Sequence, residues 1–226
     1  MRAPAMKVGI LSESPADEAA IRILVEAIVR EPVMIVQPPL RARGWPHVLQ
    51  VLPAILRFLQ LQTDADALIV VVDSDDTPLH DADHRDPNQF HPFCRLCQLE
   101  LAVRRTRKHI VRPPGRAALR VATGLAVPAI EAWYLCGRDP QVGEAGWRQC
   151  VKHGTCPYDR RDLKWRAYST VRPPLTLEIR RAEEAARRLA AGLRVLEDGF
   201  PLGFGNLLRE VRTWRSAENG SPANKI

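Results

Sequence analysis

Apolar positions along this chain recur with two different periods. Residues 7–11 form a short apolar run that meets Ser12, Glu13, Ser14 and Pro15, which predicts a buried first strand. Over 17–30, Ile21, Leu24, Val25 and Ile28 recur at helical spacing. Ser14 is placed to cap that helix, Pro15 suits its first turn, and Asp17 follows three residues on, as in a capping box. Residues 33–36 read as a second strand closed by Pro38 and Pro39. Val48, Val51, Leu52, Ile55, Leu56 and Leu59 give an amphipathic helix over 47–62, with Pro53 near its first turns. Residues 67–72 are wholly aliphatic and make the strongest strand signal, which stops at Asp73.

Strand, helix, strand, helix, strand is the grammar of an α/β fold with a mostly parallel sheet covered on both faces. A polar loop rich in Asp and His fills 73–92, followed by an expected helix over 93–107 and a strand over 119–127. A short helix then carries Ile130, Glu131, Ala132 and Trp133. Past Gly137 the pattern changes to short helical pieces, among them 178–197 and 206–214. The expected organisation is an α/β core over 1–137, a helical C-terminal region over 138–215 packed on it, and a loose tail over 216–226.

Composition narrows the class. At 226 residues, 46% hydrophobic and 26% charged, the chain can bury a core and is not disordered throughout. The aliphatic run at 67–72 is far short of the roughly 20 residues a membrane span needs. The start of the chain does not read as a signal peptide. With five cysteines, an odd number, structural disulfides are not expected and a reducing, cytoplasmic setting is. Charge is unevenly divided: residues 1–100 net −5, residues 101–226 net +12. An acidic half joined to a basic half suits metal ions on one side and a polyanion on the other. Arginine supplies 28 of the 33 cations, so a general arginine bias accounts for part of that excess.

Two acidic clusters end two predicted strands: Glu13 with Asp17 and Glu18, then Asp73, Asp75 and Asp76. Ligands of open parallel sheets bind at the carboxyl ends of the strands, so both clusters belong on one edge. If strand geometry continues, Asp73 and Asp75 share a face. Crowded carboxylates repel unless protonated or bridged by a cation, and hard oxygen ligands favour Mg²⁺ or Mn²⁺. The plainer alternative is that Asp17 and Glu18 serve the helix dipole and that Asp75 and Asp76 form an ordinary turn.

A glutamate after the first strand and an Asp-x-Asp after a later one resembles the TOPRIM fold of topoisomerases, primases and OLD-type nucleases. The chain is more similar still to small TOPRIM-like proteins of bacterial defence loci. That closer likeness rests on Glu13 to Glu18, Val70 to Asp75, Ile130 to Trp133, and the Phe200-Pro201-Leu202-Gly203-Phe204 stretch. The resemblance implies a TOPRIM-like, Rossmann-like core and metal-dependent nuclease activity in anti-phage defence. Glu13, Asp17, Asp73 and Asp75 would be the metal ligands. Glu13, Asp73, Asp75 and Glu131 would be the catalytic set, with Mg²⁺ or Mn²⁺ as cofactor. It further implies nucleic acid as partner and an ATPase on another chain, since no Gly-x-x-x-x-Gly-Lys-[Ser/Thr] loop is present. Where many TOPRIM proteins have glycine after the glutamate, this chain has Ser14. If a lysine takes part, Lys152 and Lys164 are the candidates by elimination.

Other readings compete. Asp73, Asp75 and Thr77 also fit the motif of haloacid-dehalogenase-like phosphatases, with Asp73 as nucleophile. A third possibility is a degenerate site in a non-catalytic binding or effector module. His91, Cys94 and Cys97, and Cys150, His153 and Cys156, have zinc-like spacing and together could furnish one tetrahedral site. Cys94 and Cys97 on one helical face read instead as buried small hydrophobes, and zinc is expected to be dispensable. Arg104, Arg105, Arg107 and Lys108, with Arg160, Arg161, Arg187 and Arg188, offer phosphate contacts; Trp147, Trp165 and Tyr158 among them could stack on bases.

Overall fold

A computed structural model of the chain describes residues 5–85, 90–154 and 156–216. In chain order the elements are β1 (Lys7–Ser12), α1 (Pro15–Val29), β2 (Met34–Ile35), β3 (Leu40–Arg41), α2 (Trp45–Gln62) and β4 (Ala67–Asp73). A 3₁₀ turn at Ala82–Arg85 precedes α3 (Arg95–Lys108), β5 (Arg120–Ala126) and α4 (Ile130–Leu135). Then follow α5 (Glu144–His153), α6 (Arg160–Tyr168), α7 (Leu175–Ala190), α8 (Leu193–Gly199) and α9 (Phe204–Ser216). All described strand pairs are parallel, in the order β2-β1-β4-β5, and β3 pairs with β1 beyond β2. The fold is α/β and Rossmann-like, with helices flanking the sheet. Among the described residues, no helix is long and apolar enough to cross a membrane.

The aliphatic character of β1 and β4 follows from their position. As central strands they are covered on both faces, and Val8, Ile10, Leu11 and Leu68 to Val72 are buried. The outer position beside β1 is shared by β2 and β3. The second of these was not expected, because Pro38 and Pro39 looked like the end of a strand; the chain instead resumes pairing at Leu40. Helix α7 packs on α1, and α9 on β5 and α1, while α2 and α3 pack together near β4 and β5. The helix expected over 178–197 is two helices, broken at Ala191 and Gly192. The expected tail lies, apart from Ser216, outside the described residues.

The Phe200 to Phe204 stretch has a packing reason. A Cβ at Gly203 would come within 2.1 Å of the Leu125 carbonyl oxygen, so only glycine lets this turn lie on the end of β5. Glu144 Oε2 accepts from the Leu202 and Gly203 amides at 2.9 and 3.4 Å and fixes the turn there. Phe204 then meets Trp133 of α4 edge-on, ring centroids 5.3 Å apart. Arg188 closes the other end of α4 by donating to the Tyr134 and Cys136 carbonyls at 2.7 and 2.8 Å. C-terminal helices therefore set the position of α4, and with it Glu131.

Candidate functional site: a carboxylate cluster at the sheet edge

Glu13 follows β1 directly, and Asp73 is the last residue of β4. Extending the β1–β4 register by two places sets Glu13 level with Val72. Ser14 needs no glycine-like backbone, because it is extended (φ −142°, ψ 160°) and caps α1, its Oγ accepting from the Asp17 amide at 3.1 Å. That cap turns Asp17 back toward the strand ends. Glu131, in the first turn of α4, is buried and reaches the cluster from the β5 side.

The strand alternation expected to join Asp73 and Asp75 does not continue. Pairing ends at Asp73, and Asp75 takes a left-handed backbone, φ 47°. Asp75 joins the site through arginines instead. Arg95 Nη1 donates to Asp75 Oδ2 at 2.7 Å and to the Asp73 carbonyl at 2.6 Å. Arg160 Nη2 donates to Asp73 Oδ2 at 2.7 Å, and its Nη1 pairs with Asp75 Oδ1. Asp73 Oδ1 accepts from the Ile130 amide at 3.0 Å. Sequence reading missed Arg95 altogether and took Arg160 for a phosphate contact. The available signals were the place of Arg95 at the start of α3 and of Arg160 at the start of α6, beside the Asp159 and Asp162 capping box.

Electrostatics bind the carboxylates into one unit. Burial raises Asp17 from 3.8 to about 7, with Glu131 and Glu13 adding to the effect and the Ser14 hydroxyl opposing it. Burial also holds Asp73 well above the ordinary range; Glu131, Asp17 and Glu13 reinforce this, and Arg160 offsets only part of it. Glu131 is raised by burial too, against its own backbone amide, Lys164 and the Tyr168 hydroxyl. The structure thus sets Lys164 beside the site, whereas Lys152 lies exposed near the end of α5. One Glu13 carboxylate oxygen, Oε1, and the Tyr134 hydroxyl are buried without a hydrogen-bond partner. An oxygen-only donor set with raised, mutually repelling carboxyls and an orphaned oxygen fits a hard divalent cation.

Comparison with family models, with curated proteins and with solved structures finds no match. The site must therefore be read from its own chemistry.

Several other expected groups are already occupied. Thr77 Oγ1 donates to the Ser74 carbonyl at 2.6 Å. Arg107 and Arg188 bind backbone carbonyls, and Arg187 pairs with Glu183 at 2.6 Å. Trp147 and Tyr158 are buried and stacked on each other, centroids 5.5 Å apart, so they present no face to a base; Trp165 is 59% exposed. Against the expectation of no structural disulfide, Cys150 and Cys156 are paired across the turn after α5. Gly154, at φ 72°, reverses the chain there and brings the two Cα atoms to 4.5 Å. The two Cys/His triplets consequently do not meet in a shared site.

Proposed function

We propose that the chain is a metal-dependent nuclease of TOPRIM type that hydrolyses phosphodiester bonds in DNA or RNA. The observation that carries this reading is the convergence of Glu13, Asp17, Asp73 and Glu131 on one sheet edge, with a Glu13 oxygen buried and unpartnered. Those four carboxylates are the residues that would hold Mg²⁺ or Mn²⁺, with Asp75 alongside through its arginines. A divalent ion there would supply Lewis acidity and activate water. The chain's own part is placement. The β1 and β4 tips are fixed by the core, and the cap at Ser14 sets Asp17. Arg160, 45% exposed, stands where it can exchange carboxylate for phosphate oxygen. Lys164 and the Tyr168 hydroxyl beside Glu131 oppose the upward pull of burial on that carboxyl. By the same resemblance, an ATPase partner and a role in bacterial defence are the expected context.

One observation favours a second reading. Arg95 and Arg160 already supply positive charge to Asp73 and Asp75, as in a degenerate site of a non-catalytic binding module. Cleavage of single- and double-stranded DNA and RNA in Mg²⁺ or Mn²⁺, alone and with an ATPase partner, separates the two. Asp73→Asn and Glu13→Gln should each lower divalent affinity and cut activity by roughly 10²-fold or more. Metal-dependent stabilisation without any cleavage would establish the binding module, and unchanged cleavage in both variants would overturn the site.

A further inference from the structure

The loop after β4 carries a second, chemically different cluster. His80, His84, Cys94 and Cys97 each present a ligand atom, and those atoms all lie within 4.8 Å of one another. His80 Nδ1 is 3.6 Å from both the Cys94 and Cys97 Sγ atoms. Zn–S bonds of about 2.3 Å and Zn–N bonds of about 2.0–2.1 Å at a tetrahedral angle separate sulfur from nitrogen by about 3.6 Å. The same nitrogen stands equally far from two sulfurs, the arrangement of ligands around one shared ion. Three of the four residues are buried and His84 is half-buried. We propose that His80, His84, Cys94 and Cys97 form a closed, structural zinc site.

Donor chemistry and local structure agree. Two imidazoles and two thiolates are borderline-soft ligands that select zinc, unlike the hard oxygen cluster at the sheet edge. Cys94 is the residue that opens α3 and Cys97 lies in its first turn, so one helix end presents both sulfurs to His80. Arg148 fixes the histidine strand of the loop, donating to the His80 carbonyl at 3.1 Å and to Asp81 Oδ2 at 2.7 Å. His91 stands outside the ligand set and stacks on His84, centroids 5.1 Å apart. The ion would tie the start of α3 to the loop leaving β4. Arg95, next to Cys94, would then be held against Asp73 and Asp75, making the zinc site a positioning device for the acidic edge.

The test is metal content of the full chain, reconstituted with zinc under reducing conditions and passed through a desalting column. About one zinc per chain is expected, falling below about a tenth in Cys97→Ser and in His84→Ala and staying near one in His91→Ala. Should a variant misfold, cobalt in the unaltered chain gives the same information. Thiolate-to-cobalt charge-transfer bands with strong tetrahedral d–d bands support the site. Substoichiometric zinc in the unaltered chain, zinc retained by both ligand variants, or a cobalt spectrum without thiolate bands would overturn it.

Discussion

The two ends of the loop that leaves β4 hold opposite kinds of cluster. At its start, Asp73 and its neighbours gather negative charge and hard oxygens, partly open to solvent. At its end, Cys94 and Cys97 with His80 and His84 gather soft, neutral donors in a nearly closed pocket. The acidic cluster costs stability when ionised, since each carboxylate raises its neighbours. The His/Cys cluster carries no such repulsion as neutral groups, and Arg148 ties its loop through the His80 carbonyl and Asp81. A site that turns over substrate tolerates charge repulsion and access, whereas a site that holds a loop favours closure and full coordination.

The largest effect that would sharpen this contrast is a difference of sign. Cys97→Ala removes a proposed zinc ligand, frees the start of α3 and leaves a small cavity, so stability should fall by about 3 kcal/mol or more. Asp73→Asn keeps the oxygen that accepts from the Ile130 amide and removes a repelling charge, at the cost of the pair with Arg160, whose 45% exposed side chain can turn to water. Its stability, measured by urea unfolding in chelator-free buffer at pH 8, should change by less than about 1 kcal/mol or rise. Equal destabilisation of both variants would mean that the acidic edge is a structural ion-pair network like any other.

A smaller effect concerns pH. Asp17 has a folded value of about 7 against an ordinary 3.8, so the folded chain holds the extra proton between those values. Stability of the metal-free protein should therefore be greater below about pH 4 as far as this group is concerned. It should decline as pH rises through the window and level off above about 7, by an amount on the order of a few kcal/mol. Asp17→Asn should flatten the decline, and so should saturating Mg²⁺, because the cation takes the place of the proton. Chemical denaturation from pH 4.5 to 8 with and without Mg²⁺ reads this directly. A slope unaffected by either change would remove Asp17 from the site.

Legibility in the sequence followed the same divide. The acidic edge could be read because it hangs on regular elements: aliphatic 67–72 ends at Asp73, and the Ser14 cap places Asp17. Glu131 was legible only through its neighbours Ile130 and Trp133, and the contact of Trp133 with Phe204 is tertiary. The His/Cys site was half visible. Cys94 and Cys97 announce themselves by spacing, but His80 and His84 sit in an aperiodic loop where no repeat places a side chain. Spacing therefore offered only the local triplet with His91, and the two cysteines read as buried small hydrophobes. Arg95 and Arg160 were illegible for a different reason: each is one arginine among 28, and only the folded chain selects it. Charge statistics likewise suggested Trp147 and Tyr158 as stacking groups, yet amphipathic packing buries them on each other.

The smallest expected effect tests whether the acidic edge serves nucleic acid at all. Helix α6 sends Arg160 to Asp73 and sets Lys164 near Glu131, while Arg161 and Trp165, four residues apart, share an exposed face of the same helix. A single strand lying along α6 would meet the cations with its phosphates and Trp165 with a base. Trp165→Ala should weaken single-strand binding on the order of fivefold, the low end of ~1–3 kcal/mol per stacked base. It should leave divalent affinity and zinc content unchanged, because Trp165 is 59% exposed and belongs to neither donor set. The unaltered chain's affinity should fall steeply with salt, since cation–phosphate contacts release counterions. Arg161→Gln should reduce that slope by about one phosphate contact, whereas Trp165→Ala should lower affinity without altering it. Binding that ignores both salt and Trp165 would reduce α6 to a solvated helix and leave the carboxylates without a polyanion to act on.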